Sequence, residues 1–134
     1  MSDARHAALV DRLAGYEVLV EVGVGERPAV AAALADRGRT VTATDISERS
    51  VPASVGFVLD DVTDPECAVY ADAEAVYALN LPPELHRPLG EVARSVGADC
   101  LFTTLGGDPP IIPVSRESLS GTGETLFVAE AGPG

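Results

Sequence analysis

Polar side chains lie at or near the ends of five successive apolar segments of this chain. They are Glu21, Asp45, the Asp60-Asp61 pair, Asn80 and the Thr103-Thr104 pair. If the segments are parallel strands, their carboxyl ends meet at one edge of a sheet, where open α/β sheets bind their ligands. Carboxylates and an amide at such an edge can hold hydroxyl and amine groups. The pattern therefore predicts a binding site for a polar ligand.

The first segment, residues 18–25, reads Val-Leu-Val-Glu-Val-Gly-Val-Gly and ends in the Gly-x-Gly pair Gly23 and Gly25. Such an apolar run fits a strand that is buried on both faces of a parallel sheet. The glycines allow a tight turn and a close approach of a ligand to the backbone. A helix follows over residues 27–37, with Pro28 in its first turn. This arrangement offers free backbone N–H groups to an anionic or polar ligand.

Two acids at the ends of the next two predicted strands have the chemistry to hold an adenosine. Asp45 follows Gly25 by 20 residues, where an acid of dinucleotide-binding folds accepts hydrogen bonds from two ribose hydroxyls. We favour that role over a helix cap for Ser47. Asp61 could accept a bond from the exocyclic amine of adenine, and a solvated turn acid explains it equally well. Asp60 is predicted to form the turn.

Strands alternate with helices along the chain, which is typical of a doubly wound, mostly parallel α/β sheet with helices on both faces. The predicted strands are residues 17–22, 40–44, 55–59, 75–79, 99–104 and 124–129, and the predicted helices are residues 2–14, 27–37, 64–70 and 87–96. Pro88 then falls in the first turn of the last helix. We predict a loop over residues 105–123 with one helical turn at 115–119, and a frayed tail at 130–134. Residues 1–134 thus form one domain of about six strands.

The charge balance constrains both habitat and partners. The chain has 134 residues, 21 acids and nine basic residues, all of them arginine, for a net charge of −12. A compact, lysine-free acidic protein is typical of a halophile, because molar salt shrinks the Debye length to about 3 Å and makes the repulsion tolerable. An ordinary acidic protein is the alternative. The acids are spread along the chain and cations are not clustered, which argues against a nucleic-acid partner.

The remaining candidate residues favour a simple cytoplasmic protein. Cys67 and Cys100 have no metal-binding spacing, and each is predicted to be a small buried side chain in a reducing compartment. His6 and His86 are predicted to be surface residues rather than bases. The N-terminus lacks the apolar region of a signal peptide, and no run reaches membrane-spanning length. We therefore expect no metal and no membrane partner.

At this point three segments resemble the first three motifs of class I S-adenosylmethionine-dependent methyltransferases. They are Val-Leu-Val-Glu-Val-Gly-Val-Gly, Val-Thr-Ala-Thr-Asp-Ile-Ser and Phe-Val-Leu-Asp-Asp-Val. The whole chain resembles an uncharacterised archaeal family of short proteins with a truncated methyltransferase-like Rossmann fold. The resemblance covers residues 18–104. It implies that Glu21, Gly23 and Gly25 lie near the methionine part of the cofactor, that Asp45 holds the ribose and that Asp61 meets the adenine.

The chain also departs from the methyltransferase pattern. A third glycine would fall at Arg27, or at Pro28 in the dinucleotide pattern, so the first motif does not choose between S-adenosylmethionine and NAD. Asp61 favours S-adenosylmethionine. The fourth-motif segment, Asn80-Leu81-Pro82-Pro83, has an extra leucine compared with the Asn-Pro-Pro-aromatic motif of amino- and base-modifying methyltransferases, and Glu84 replaces the aromatic residue. Asn80 is therefore a pocket-lining residue and a weak catalytic candidate. The antiparallel seventh strand of the family is expected to be absent.

Three functions are consistent with these residues. The first is an S-adenosylmethionine-binding, methyltransferase-like protein that transfers a methyl group to an unknown small molecule or protein. The second is a non-catalytic nucleotide-binding or scaffold protein, which the departures support. The third and weakest is an NAD-binding domain. Exposed sheet edges in so short a chain also allow a homodimer.

Overall fold

A mixed sheet of seven strands forms the centre of the protein. The computed structural model describes residues 4–119 and 121–130. The strands are β1 (Val18–Val22), β2 (Thr40–Asp45), β3 (Gly56–Leu59), β4 (Ala75–Leu81), β5 (Asp99–Thr104), β6 (Val114–Leu119) and β7 (Glu124–Ala129). Their order across the sheet is β3-β2-β1-β4-β5-β7-β6. The first five strands in this order are parallel, and β7 pairs antiparallel with both β5 and β6.

The helices cover both faces of the sheet, as the alternation of strands and helices predicts. They are α1 (Ala4–Leu13), α2 (Ala29–Asp36), α3 (Cys67–Tyr70) and α4 (His86–Val96), and α4 is preceded by the 3₁₀ turn Pro83–Leu85. One apolar cluster joins α1 and α2 to one face of the sheet, and the other joins α3 and α4 to the opposite face. Alternate residues of β1 enter the two clusters, which explains why this strand is apolar almost throughout.

The prediction of about six strands, without an antiparallel seventh, is wrong. Residues 114–119 form the edge strand β6 instead of a loop with a helical turn, and β6 pairs with β7 along its whole length. The sequence Val-Ser-Arg-Glu-Ser-Leu carries little strand signal of its own. Its pairing with β7 is reinforced by Arg12 of α1, which donates from Nε and Nη2 to the carboxylate of Glu117 at 2.7 and 3.2 Å. Long-range contacts therefore make this segment a strand.

Most other boundaries differ from the predictions by only one to three residues. The helix predicted over 2–14 is described from Ala4, and its first two residues lie outside the described part. So do residues 131–134 of the predicted tail. Pro88 lies in the first turn of α4, as predicted. At β4 the strand extends past Leu79 to Leu81 and therefore includes Asn80.

Two burial predictions are wrong. Cys67 is exposed, because it begins the short surface helix α3, while Cys100 is buried in β5 as predicted. His86 was predicted at the surface but is fully buried, because the first turn of α4 faces the sheet. Its ring lies 4.7 Å from the Phe102 ring, centroid to centroid.

Among the helices of the described residues, α4 is the longest, with 11 residues. Within residues 4–119 and 121–130, no helix combines the length and the hydropathy of a membrane span.

Candidate functional site

A cleft of about 640 Å³ opens beside the carboxyl ends of β1 and β4. Its lining includes four of the residues that the sequence singled out: Glu21, Gly23, Gly25 and Asn80. It also includes His6, Arg27 and Arg49, which were not predicted as site residues. The side chains of Asp45 and Asp61 lie outside this lining. The fold thus brings one part of the predicted site together and leaves Asp45 and Asp61 out of the lining.

The glycine turn has the backbone conformation that its sequence predicts. Gly23 and Gly25 have φ of 73° and 58°, the left-handed region that glycine adopts without strain. The N–H groups of Gly23 and Val24 both donate to the carbonyl of Thr44, at 2.9 and 3.0 Å. A Cβ built on either glycine meets nothing within 4 Å. The backbone of the turn is therefore open to a ligand from the cleft side.

Asp45 fastens the end of β2 to this turn. Its Oδ2 accepts the Gly25 N–H at 2.9 Å and its Oδ1 accepts the Ser47 N–H at 3.0 Å. Arg49 Nε lies 3.5 Å from Oδ1. Burial raises the pKa of Asp45, but the N–H groups of Ser47 and Gly25, together with Arg49, outweigh burial and hold the pKa below its ordinary value. Asp45 is an anion in the folded protein, and no helix begins at Ser47 for it to cap.

Glu21 is a buried carboxyl in the wall of the cleft. It is 1% exposed, and the hydroxyl of Tyr77 donates to its Oε1 at 2.7 Å. The two residues are register partners on β1 and β4, so their side chains share one face of the sheet. Burial raises the pKa of Glu21 to about 7, and the hydrogen bond from Tyr77 offsets this only in part. Because of burial and the nearby Glu21 carboxyl, the pKa of Tyr77 is also raised, well above its ordinary value.

Asn80 is held in an uncommon backbone conformation at the rim of the cleft. Its φ is 54° and no other described non-glycine residue has a positive φ. Asparagine tolerates this region better than most residues. The β4–β5 register shifts between Ala78 and Leu81, and the Asn80 N–H donates to Thr103 Oγ1 at 2.8 Å. The extra leucine of the fourth motif is thus accommodated by a bulge, which buries Leu81 and exposes Asn80.

Asp60 and Asp61 make different contacts. Asp60 accepts the Glu66 N–H at 3.0 Å and the Tyr70 hydroxyl at 2.6 Å, so it anchors α3 to the end of β3. Asp61 is exposed, and its Oδ1 accepts the hydroxyl and the N–H of Thr63 at 2.7 and 2.9 Å. These two bonds lower the pKa of Asp61. The geometry of Asp61 is that of a solvated turn, and its contact with adenine stays a prediction.

Sequence reasoning missed two features beside Asp45. Ile46 is 74% exposed, although it follows a buried strand directly, and Leu59, the register partner of Asp45 on β3, is 59% exposed. Apolar side chains exposed at the margin of a cleft can cover the face of an aromatic ring. The available signal was an isoleucine between two polar residues at the end of a strand.

His86 forms hydrogen bonds to the end of β4 and to the loop after β5. The Ile111 N–H donates to Nδ1 at 3.2 Å, and Nε2 lies 3.1 Å from the Leu81 carbonyl. Because Nδ1 accepts from Ile111, Nε2 is the donor to the Leu81 carbonyl. This histidine is a structural residue beneath the fourth motif. In the described part of the chain, no three His, Cys, Asp or Glu residues are grouped as metal ligands.

Comparison with solved structures identifies the class of fold. The chain is 19% identical to an RNA methyltransferase from Salinibacter ruber, solved in complex with S-adenosylhomocysteine, with a TM-score of 0.62 over 93% of each chain. It is 14% identical to a TehB-like S-adenosylmethionine-dependent methyltransferase from Corynebacterium glutamicum, with a TM-score of 0.62 over 96% of this chain and 86% of that one. The fold is therefore that of the methyltransferase-like Rossmann proteins.

The chain belongs to the uncharacterised protein family UPF0146, whose model matches residues 4–131. A UPF0146 protein of Halobacterium salinarum is 59% identical over 117 residues, which cover 87% of this chain and 90% of the relative. One from Archaeoglobus fulgidus is 50% identical over 90 residues, covering 67% of this chain and 69% of that one. The resemblance to a short archaeal family is confirmed. The Halobacterium relative agrees with the acidic composition typical of a halophile.

Proposed function

We propose that the protein binds S-adenosylmethionine in the cleft beside β1 and β4 and is a methyltransferase. The observation that carries the proposal is the grouping of Glu21, the glycine turn and Asn80 around one cleft, with Asp45 bonded to the back of that turn. A volume of about 640 Å³ lies within the usual range of small-molecule sites.

The donors and acceptors suit the adenosyl end of this ligand. A carboxylate has about four lone-pair sites, and Asp45 uses two of them on backbone N–H groups, so it retains acceptors for ribose hydroxyls. Ile46 supplies exposed apolar surface for a base. Asp61, at the end of β3, is the candidate acceptor for the exocyclic amine of adenine.

The mixed charge of the cleft favours an amino-acid-bearing ligand over NAD. Glu21 and Glu26 line the cleft beside the glycine turn, where a dinucleotide would lay its pyrophosphate. Glu26 would repel that group and the buried Glu21 carboxyl would gain no cation from it, so Arg27 is the compensating cation. The methionine part carries one ammonium and one carboxylate group, which Glu21 and Arg27 could pair respectively.

Bound S-adenosylmethionine would supply an activated methyl group on its sulfonium. The contribution of the chain would be to position and desolvate the acceptor. Asn80 is suited to accept a hydrogen bond from an acceptor amine, because the bulge holds it at the rim of the cleft.

A non-catalytic binding protein is the second candidate. Arg27 in place of a third glycine and Leu81 within the fourth motif favour it. The third argument for it, a missing antiparallel strand, is removed by β6 and β7.

Calorimetric titration with S-adenosylhomocysteine in molar KCl tests the binding. We expect saturable heat from the wild type and an affinity at least about tenfold lower in Asp45→Asn, because one charge-assisted hydrogen bond is worth about 1.5–3 kcal/mol. Asp72→Asn is the matched control, since it removes one exposed acid from outside the cleft. Absence of heat from the wild type, or equal loss in both variants, would contradict the proposal.

Methyl transfer is tested with S-adenosylmethionine carrying a labelled methyl group. The protein is incubated with fractionated small molecules and proteins from a halophilic archaeon, and the label is followed by mass spectrometry. Transfer that disappears in Asn80→Ala supports the enzyme. Binding without transfer to any fraction supports the non-catalytic candidate.

A further inference from the structure

The carboxyl of Glu21 is buried in the cleft wall without a resident cation. It is 1% exposed, and its hydrogen-bond donor is the neutral phenol of Tyr77. The ion pairs formed among the described residues do not include Glu21. A buried carboxylate that lacks a cation is unfavourable, so the free protein favours the acid form. Burial raises the pKa of Glu21 to about 7 in agreement with this geometry.

The other charged and titratable groups near the cleft do not supply the missing cation. Arg49, which follows β2, lies 3.5 Å from the Asp45 carboxylate, and Arg27 is exposed at the glycine turn. Glu26 on the same turn adds negative charge. His6 of α1 also lines the cleft, and its Nε2 is buried with no hydrogen-bond partner among the described residues. His6 therefore has to be distinguished from Glu21 by experiment.

We propose that Glu21 is a carboxylic acid in the free protein and releases its proton when an ammonium-bearing ligand enters the cleft. The O–H bond of the acid breaks, the proton passes to the buffer, and the carboxylate pairs with the ammonium group. Glu21 thereby selects adenosyl compounds that carry an amino acid over plain nucleosides. The inference rests on the proposed function, and it adds a proton to the binding equilibrium.

Titration calorimetry in buffers of different ionisation enthalpy counts that proton. The probes are S-adenosylhomocysteine, which has the ammonium group, and 5′-methylthioadenosine, which lacks it. At about pH 6 we expect close to one proton released with the first probe and none with the second. From about pH 6 to about pH 7.5 the affinity for S-adenosylhomocysteine should rise about eightfold, because the acid form must be titrated first.

Three variants identify the side chain that releases the proton. Glu21→Gln should bind S-adenosylhomocysteine more weakly, without proton release or pH dependence, and bind 5′-methylthioadenosine as the wild type does. Tyr77→Phe should move the pH midpoint upward, because it removes the donor that favours the carboxylate; a merely structural role for the pair would not move it. His6→Gln should keep the proton release, and its loss in that variant would overturn the proposal.

The failures of the two proposals are distinguishable. If S-adenosylhomocysteine binds without proton release, or binds Glu21→Gln as tightly as the wild type, this inference falls and the proposed function stands. If neither probe binds the wild type, both fall. Because the proton count is made on the wild-type protein, a variant that does not fold leaves the test intact.

Discussion

The fold shifts the pKa values of two buried carboxyls on neighbouring strands in opposite directions. The pKa of Glu21 is raised and that of Asp45 is lowered. Both residues are under 10% exposed, and desolvation alone raises the pKa of each. Asp45 has two backbone N–H donors and a nearby guanidinium, and its pKa is lowered. Glu21 has one phenol, and its pKa is raised to about 7. Glu21 is the more deeply buried of the two carboxyls and has fewer donors, and these two differences together give the pKa shifts their opposite directions.

Among the changes that test this comparison, removal of the Asp45 carboxylate should have the largest effect on stability. Asp45→Ala deletes two charge-assisted hydrogen bonds and should lower the free energy of unfolding by about 4 kcal/mol near pH 7. Because the folded pKa is below the ordinary value of 3.8, the wild type keeps this stabilisation above that value and loses it as the pH falls through the folded pKa. Urea unfolding of both proteins at several pH values in constant KCl measures the difference. Equal stability of the two proteins near pH 7 would contradict it.

The contribution of Glu21 to stability should depend on pH in the opposite direction. Its pKa is raised from 4.5 to about 7, so the folded state keeps a proton that the unfolded chain releases above pH 4.5. Its stabilising contribution is therefore full below pH 4.5 and is lost as the pH rises through about 7. The stability of Glu21→Gln relative to the wild type should then increase by up to about 3 kcal/mol across that window. Urea unfolding measures this difference, and a constant gap between the two proteins would contradict the raised pKa.

The donor side of the Asp45 contact can be tested through its glycine. Gly25→Ala places a side chain at a φ of 58°, which costs about 1–2 kcal/mol through backbone strain. A Cβ there meets nothing within 4 Å, so the protein should fold while the new methyl group obstructs the ligand. Gly107→Ala is the matched control, because its Cβ also meets nothing and its φ is not positive. Thermal unfolding and calorimetric titration should separate the two variants, and identical behaviour would contradict the strain argument.

Asp61 should give the smallest effect. Its side chain is exposed and is bonded only to its near neighbour Thr63, so Asp61→Asn should leave the unfolding midpoint unchanged. If it meets adenine, the variant should lower the affinity for S-adenosylhomocysteine about fivefold, the loss expected for one hydrogen bond. Thermal unfolding and titration measure the two effects. Unchanged affinity would show that Asp61 is only a turn residue.

Local sequence patterns predicted the structure correctly where a residue's contacts are near in sequence or where its type restricts the backbone conformation. The apolar run of β1, the Gly-x-Gly turn and the alternation of strands with helices predicted the five parallel strands of the sheet. Pro88 was placed correctly because proline is tolerated only in the first turn. β6 was missed because its strand conformation depends on β7 and on the Arg12–Glu117 pair, 105 residues apart. His86 was misplaced because its burial depends on the loop that carries Ile111.

For the site, the sequence by itself determined which chemical groups stand at the strand ends: the acid and glycines of the first turn, Asp45, Asp61 and Asn80. Only the tertiary structure decided their charges and directions. Asp45 is an anion because the glycine turn folds back onto it, whereas burial without a cation raises the pKa of Glu21 to about 7 and the hydrogen bond from Tyr77 offsets this only in part. Asn80 points to the cleft because a bulge absorbs Leu81. Side-chain type is encoded locally, whereas ionisation and orientation depend on neighbours that only folding brings into contact.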